Sequence, residues 1–193
     1  MTRPLRLVVI TGSTRDGRFG PTVTSWFTGL ASSVSAMDLD VVDLADIELP
    51  VAHPAWGAQP SASVAALGAR LDVADAFVVV TPEYNHSFPA VLKNAIDLFR
   101  EEWRAKPVGF VSYGGQGGGL RAVEQLRLVF AELHATSVRD SVSFHGAASV
   151  FDGGRPVDPA ISHSAGANML EQLEWWGSAL RSAREARPYA EAA

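Results

Sequence analysis

The chain has no cysteine, which excludes disulfides, thiolate nucleophiles and cysteine-ligated metals together. It also lacks any run of clustered lysine and arginine. With 16 basic against 21 acidic residues, a net charge of −5 and a pI near 5.5, it offers no surface for nucleic acid or for an anionic membrane. No long apolar run is present: the first hydrophobic stretch, LRLVVI, reaches Gly12 and Ser13 too soon for a signal-peptide core or a membrane span. The five histidines, at 53, 86, 134, 145 and 163, form no His-x-x-x-His pair, so no metal site is indicated. What remains is an apolar content of 47% in 193 residues, enough for one domain, residues 1–193, with a sizeable core. The partner implied is a small molecule or another protein, and the lack of disulfides fits a reducing compartment, the cytoplasm.

Apolar runs of strand length alternate with segments of helical period. Leu7 to Ile10 reads as a first strand, and Pro21 opens a helix whose Val23, Trp26, Phe27, Leu30 and Ala31 share one face. Asp38 to Leu44 alternates like an outer strand with a wetter face. A proline-rich loop follows to Pro60, with Trp56 beneath it or lining a pocket, and then a weak helix carrying Val64, Leu67 and Leu71. Phe77 to Val80 is a continuous β-favouring run, as expected of a strand buried on both faces. Pro89 suits the first turn of the next helix, with Val91, Leu92, Ala95, Ile96 and Phe99 inward. Pro107 to Tyr113 supplies a fourth strand, and Leu120 to His134 a helix that buries Ala122, Val123, Leu126, Val129, Phe130 and Leu133 while Arg121, Glu124, Arg127 and Glu132 stay wet. Val138 to Phe144 can form a fifth strand. The last helix carries Met169, Leu173, Trp176 and Leu180; of Trp175 and Trp176, one is expected in the core and the other at a subunit contact, and the tail after Arg187 is expected to fray. Strands alternating with helices predict an α/β fold, a flavodoxin-like doubly wound five-stranded parallel sheet of order 2-1-3-4-5 with helices on both faces.

That order gathers three loops at the carboxyl edge of the sheet, where open α/β sheets bind ligands. The first, Gly12 to Gly20, holds Ser13, Thr14, Arg15 and Arg18 in front of a helix N-terminus, a setting that favours an anion; the same residues suit an ordinary polar connection with solvated arginines. It is neither a Walker sequence nor G-x-G-x-x-G. The second, Pro82 to Phe88, presents Glu83, Tyr84, Asn85, His86 and Ser87 between stiffening prolines. Glu83 as base and His86 as acid is one reading, and ligand positioning is the other. The third, Gly114 to Gly119, is GGQGGG, a plain turn or a backbone open to close approach by a flat ligand.

The three blocks GSTRDGR, TPEYNHSFPAVLKNAID and KPVGFVSYGGQGGGLRAVEQLR, in this order, resemble the NAD(P)H-dependent FMN reductase family, which includes quinone, azo-dye and chromate reductases. The resemblance covers roughly residues 5 to 145 and implies a bound FMN, with NADPH or NADH as co-substrate. It implies that the phosphate lies on Ser13, Arg15 and the segment Arg18, Phe19, Gly20, Pro21 and Thr22, with Gly12 also among the cofactor-binding residues. It further implies that Pro82, Glu83, Tyr84 and Asn85 line the isoalloxazine, with Ser112, Tyr113, Gly114 and Gly115 at its other edge. Many relatives carry Ser-x-Asn where this chain has Phe19-Gly20-Pro21, so Arg18 is the substitute contact there. The function implied passes hydride from nicotinamide through FMN to a small acceptor such as a flavin or quinone. No residue is assigned as a catalytic acid or base, because the flavin carries the hydride. A homodimer or homotetramer is implied as well. One rival is a flavodoxin-like FMN-binding electron carrier that does not oxidise nicotinamide. A second is a hydrolase, because Ser162-His163-Ser164-Ala165-Gly166 is one residue from a G-x-S-x-G elbow; Asp158-Pro159 before it reads as a helix start instead.

Overall fold

The computed structural model describes residues 3–55 and 57–189; the placement of Trp56 beneath the loop or in a pocket lies outside the described residues. The central strand run AFVVVTP forms β3 (Ala76–Pro82), buried along its whole length, because parallel strands here are covered by helices on both faces. β1 (Arg6–Thr11) pairs with it on one side and β4 (Pro107–Gly114) on the other, both parallel. β2 (Asp38–Asp43) lies outside β1. Its Asp40 is held by Arg6 at 3.0 Å and by Arg70 at 2.5 Å, and the hydrogen bond from Arg70 is the main reason its carboxyl titrates below the usual range. The order β2-β1-β3-β4 continues as foreseen into a fifth position beside β4.

That fifth position is not one strand. It is split into β5 (Thr136–Ser137) and β6 (Val142–His145), both parallel to β4. Val108 faces Ser137 and Val111 faces Val142, so five steps along this edge cover three on β4. The excess bulges out as Arg139–Ser141. Arg127, which the sequence pattern leaves wet, is only half-exposed and donates to the carbonyls of Val138 (2.7 Å) and Arg139 (3.0 Å), supplying partners that the interrupted ladder lacks.

Two apolar layers sandwich the sheet. α1 (Gly20–Val34) and α6 (Pro159–Ala186) pack Phe27, Leu30, Met169, Leu170 and Leu173 on one face. α2 (Ala62–Asp72), α3 (Ala90–Asp97) and α4 (Leu120–Glu132) pack Leu67, Leu92, Ile96, Leu126 and Phe130 on the other. Pro89 stands at the N-cap of α3 and not within its first turn. Trp103, which no period marks, is buried there with its Nε1–H donating to the Ile96 carbonyl at 3.1 Å. In α6 the inward positions go to Met169, Leu173 and Gly177, and Trp175 and Trp176 are both exposed, edge to face at 4.9 Å. A Cβ on Gly177 would already touch Leu5 at 3.3 Å, so the helix lies too close to the sheet for an indole. Beyond α6 the Tyr189 hydroxyl shares a hydrogen bond with His134 Nδ1 at 2.7 Å, and the rest of the tail expected to fray, residues 190–193, lies outside the described residues. A short helix, α5 (Ala147–Val150), and a hairpin of β7 (Phe151–Asp152) and β8 (Arg155–Pro156) join β6 to α6. Among the described residues no helix is long and apolar enough to cross a membrane.

Candidate functional site

β1, β3 and β4 all end at one edge, and their loops meet there. Gly12 N–H donates to the Val80 carbonyl (2.8 Å), carrying the first loop alongside β3. A Cβ on Gly12 would stand 3.0 Å from Leu92 and 3.2 Å from that carbonyl. Ser13 is fully buried, and its Oγ shares a hydrogen bond with the Tyr84 hydroxyl at 2.7 Å. α1 starts without a side-chain cap, because Phe19 occupies the N-cap position. Its ring instead packs edge-on to Tyr113 and Phe151. Gly20 leaves no room for a side chain: a Cβ would lie 2.9 Å from Thr11 Cγ2 and 3.0 Å from the Tyr113 hydroxyl. Burial pushes the Tyr113 phenol well above its ordinary pKa, so it stays a neutral donor and acceptor beneath the loop. Pro21 is exposed and Thr22 half-exposed in the first turn of α1.

The two arginines of this loop diverge. Arg15 is exposed, whereas Arg18 is half-buried and ion-paired to Asp43 at 2.6 Å. The Arg18 guanidinium is therefore committed to the end of β2, and Arg15 is the cation left free to meet a mobile anion.

In the second loop Tyr84 and Ser87 exchange backbone hydrogen bonds of 2.8 and 3.0 Å. The residues between them, Asn85 and His86, have φ of 49° and 74°, as in a type I′ turn. Asn tolerates this left-handed backbone, and His does so at some cost. The turn is braced from α4. Ser87 Oγ donates to Gln125 Oε1 (2.6 Å), and Gln125 Nε2 donates to the His86 carbonyl (2.8 Å). Pro82 ends β3 in the buried interior, its carbonyl accepting from Thr81 Oγ1 at 2.9 Å.

Glu83 is a strut. Its side chain is 8% exposed and accepts from Arg121 Nη2 at 2.6 Å, and the backbone N–H of Arg121 reaches the same carboxylate at 3.3 Å. It thereby supplies the anion that the uncapped N-terminus of α4 favours. A general-base role would require releasing both donors, so positioning is the part this geometry supports. His86 is exposed at the turn tip.

The glycine loop closes over these groups. Gly118 and Gly119 have φ of 58° and 84°, and a Cβ on Gly119 would sit 2.6 Å from that of Ser112, so both the conformation and the space require glycine. Ser112 is buried below the loop, its hydroxyl donating to the Gly118 carbonyl at 2.8 Å, as does that of Ser143. Ser112 therefore shapes the loop from beneath. Gly114 is half-buried and Gly115 exposed, with open space where a Cβ would stand. Among the described residues no three His, Asp or Glu side chains are grouped to hold a metal ion.

Arg121, Gln125 and Ser143 contribute to this assembly without having been singled out by the sequence; Arg121 and Gln125 sit on the α4 face read there as solvent-exposed or unassigned. The elements thus define an α/β protein with an edge built from the β1, β3 and β4 loops, the uncapped start of α1 and a glycine loop after β4. Residues 5–149 match the family model for NADPH-dependent FMN reductase, and the chain belongs to that family. It is 39% identical over 120 residues to an NAD(P)H-dependent FMN reductase of Schizosaccharomyces pombe, covering 59% of this chain and 60% of that protein. A quinone reductase of Escherichia coli is 36% identical over 141 residues, covering 70% of this chain and 74% of the relative. The flavoenzyme NAD(P)H:(acceptor) oxidoreductase FerB of Paracoccus denitrificans superposes with a TM-score of 0.71 at 22% identity, over 91% of this chain and 98% of FerB, a likeness of fold.

Proposed function

We propose that the protein is an FMN-dependent NAD(P)H oxidoreductase that passes reducing equivalents to a small acceptor such as a quinone or a flavin. The observation that carries this is the uncapped start of α1 beside buried Ser13 and exposed Arg15, a setting that favours an anion such as a phosphate, next to the glycine loop where Gly115 leaves open space. The residues present fit FMN: Ser13, Arg15 and the backbone of Gly20 and Thr22 would hold its phosphate, with Gly12 setting the approach. The backbone of Pro82–Asn85 and of Tyr113–Gly115 would flank its ring. When bound, the flavin supplies hydride chemistry, accepting from nicotinamide and giving to the acceptor. The chain contributes orientation, with the hydrogen-bonded hydroxyls of Ser13 and Tyr84 and the buried Tyr113 beneath the loop, and no residue is assigned as a proton donor or acceptor. The exposed pair Trp175 and Trp176 supports assembly as a homodimer or homotetramer, and the cysteine-free composition supports a place in the cytoplasm. A flavodoxin-like electron carrier would share the site but would not oxidise nicotinamide.

Titration of the apoprotein with FMN and riboflavin tests the site. Arg15→Ala should weaken FMN about ten- to hundred-fold, because a charge-assisted bond to phosphate contributes roughly 1.5–3 kcal/mol. Riboflavin, which lacks the phosphate, should be unaffected. Equal losses for both ligands would remove Arg15 from the phosphate site.

A further inference from the structure

We infer that Gln125 is a positioning residue for the flavin ring, acting through the turn Tyr84–Ser87; this rests on the flavin-site reading above. The turn is the one part of the ligand edge whose backbone is both left-handed at two non-glycine residues and remote from the regular sheet ladder. Left to itself, His86 at a φ of 74° would relax toward the ordinary negative region, and the loop between Glu83 and Phe88 would sample other shapes. Gln125 prevents this with both ends of its amide. Its Oε1 accepts from Ser87 Oγ at 2.6 Å, and its Nε2 donates to the His86 carbonyl at 2.8 Å. Only a side chain that is donor and acceptor at once can do both.

Gln125 stands one turn beyond Arg121, whose guanidinium holds Glu83 at 2.6 Å. Two successive turns of α4 therefore grip the second loop at its start and at its tip. The consequence reaches the first loop, because Tyr84, the first residue of the turn, carries the hydroxyl bonded to Ser13. α4 sets the turn, the turn sets Tyr84, and the backbone of Glu83–Asn85 is held in one shape at the ligand edge. Because Gln125 acts on the ring-facing loop and not on the phosphate group, its loss should weaken FMN and riboflavin alike. That signature is opposite to the one expected for Arg15.

The test uses Gln125→Met, close in length but without either hydrogen-bonding atom, and Ser87→Ala, which removes one of the two bonds from the turn side. Flavin affinities are measured by fluorescence quenching, and the thermal midpoint of the apoprotein is followed in parallel. Gln125→Met is expected to weaken FMN and riboflavin equally, on the order of ten-fold or more, with the apoprotein midpoint little changed. Ser87→Ala should weaken both by a smaller factor. A lowered midpoint with unchanged flavin affinity would make Gln125 a packing residue of α4 and overturn the inference. So would a loss confined to FMN. A wild-type protein that takes up no flavin would instead remove the site reading on which the inference stands, so the two failures are distinguishable.

Discussion

At the scale of single residues, charges are placed by backbone geometry. Lys106 is 4% exposed, and its Nζ donates to the carbonyls of Leu71 (2.9 Å) and Asp72 (2.7 Å), closing the C-terminus of α2. Burial drives its pKa down to about 8, from the ordinary lysine value of 10.5. The folded state therefore releases this proton at lower pH than the unfolded chain. Its contribution is unfavourable below about pH 8 and is relieved as pH rises from there toward 10.5. Stability measured by urea unfolding should rise between pH 8 and 10, and Lys106→Met should flatten that rise. Above pH 10 the raised pKa of Tyr113 works the other way, since its contribution falls as the unfolded phenol ionises first. A wild-type profile that is flat or falling from pH 8 to 10 would contradict this account of Lys106.

At the scale of elements, local periodicity was a sound guide wherever one residue type recurs on one face. The continuous run in β3, the inward stripe of α1 and the order of the first four strands were all readable, because burial on a sheet imposes the same spacing everywhere. The misses share a cause: contacts between residues far apart in sequence. Val138 to Phe144 reads as one strand, yet Asp140 N–H is drawn to Gln172 of α6 at 3.1 Å and Arg127 takes the neighbouring carbonyls, so the strand breaks there. Trp176 fits a helical period, but the closeness of α6 to Leu5 gives the inward place to Gly177. The bulge supplies a test. Arg127→Met leaves the Val138 and Arg139 carbonyls short of a partner and also removes the guanidinium stacked 5.3 Å from the Phe110 ring centre. It should cost about 1–3 kcal/mol of stability, with amide exchange accelerating in Val142–His145 before the inner strands. Unchanged exchange in β6 would show that the bulge does not need Arg127.

At the scale of the molecule, the three loops were legible as a set, because strand order alone brings them to one edge. Their internal wiring was not. Glu83 and Arg121 are 38 positions apart, as are Ser87 and Gln125, and no motif spacing announces such pairs. Nor does composition reveal that Arg18 belongs to Asp43 and Arg15 to solvent. The division of labour that results is consistent throughout: buried hydroxyls and braced turns shape the edge, and one cation stays available for a ligand. The central claim is the proposal that such an edge orients a flavin to take hydride from a nicotinamide. It is tested most directly by loading the protein with FMN, mixing it anaerobically with NADPH or NADH, and following the flavin absorbance. The account predicts bleaching within seconds by at least one of the two nicotinamides and return of colour when a quinone is added. Bleaching by dithionite alone, with neither nicotinamide effective, would contradict it and make the protein an electron carrier.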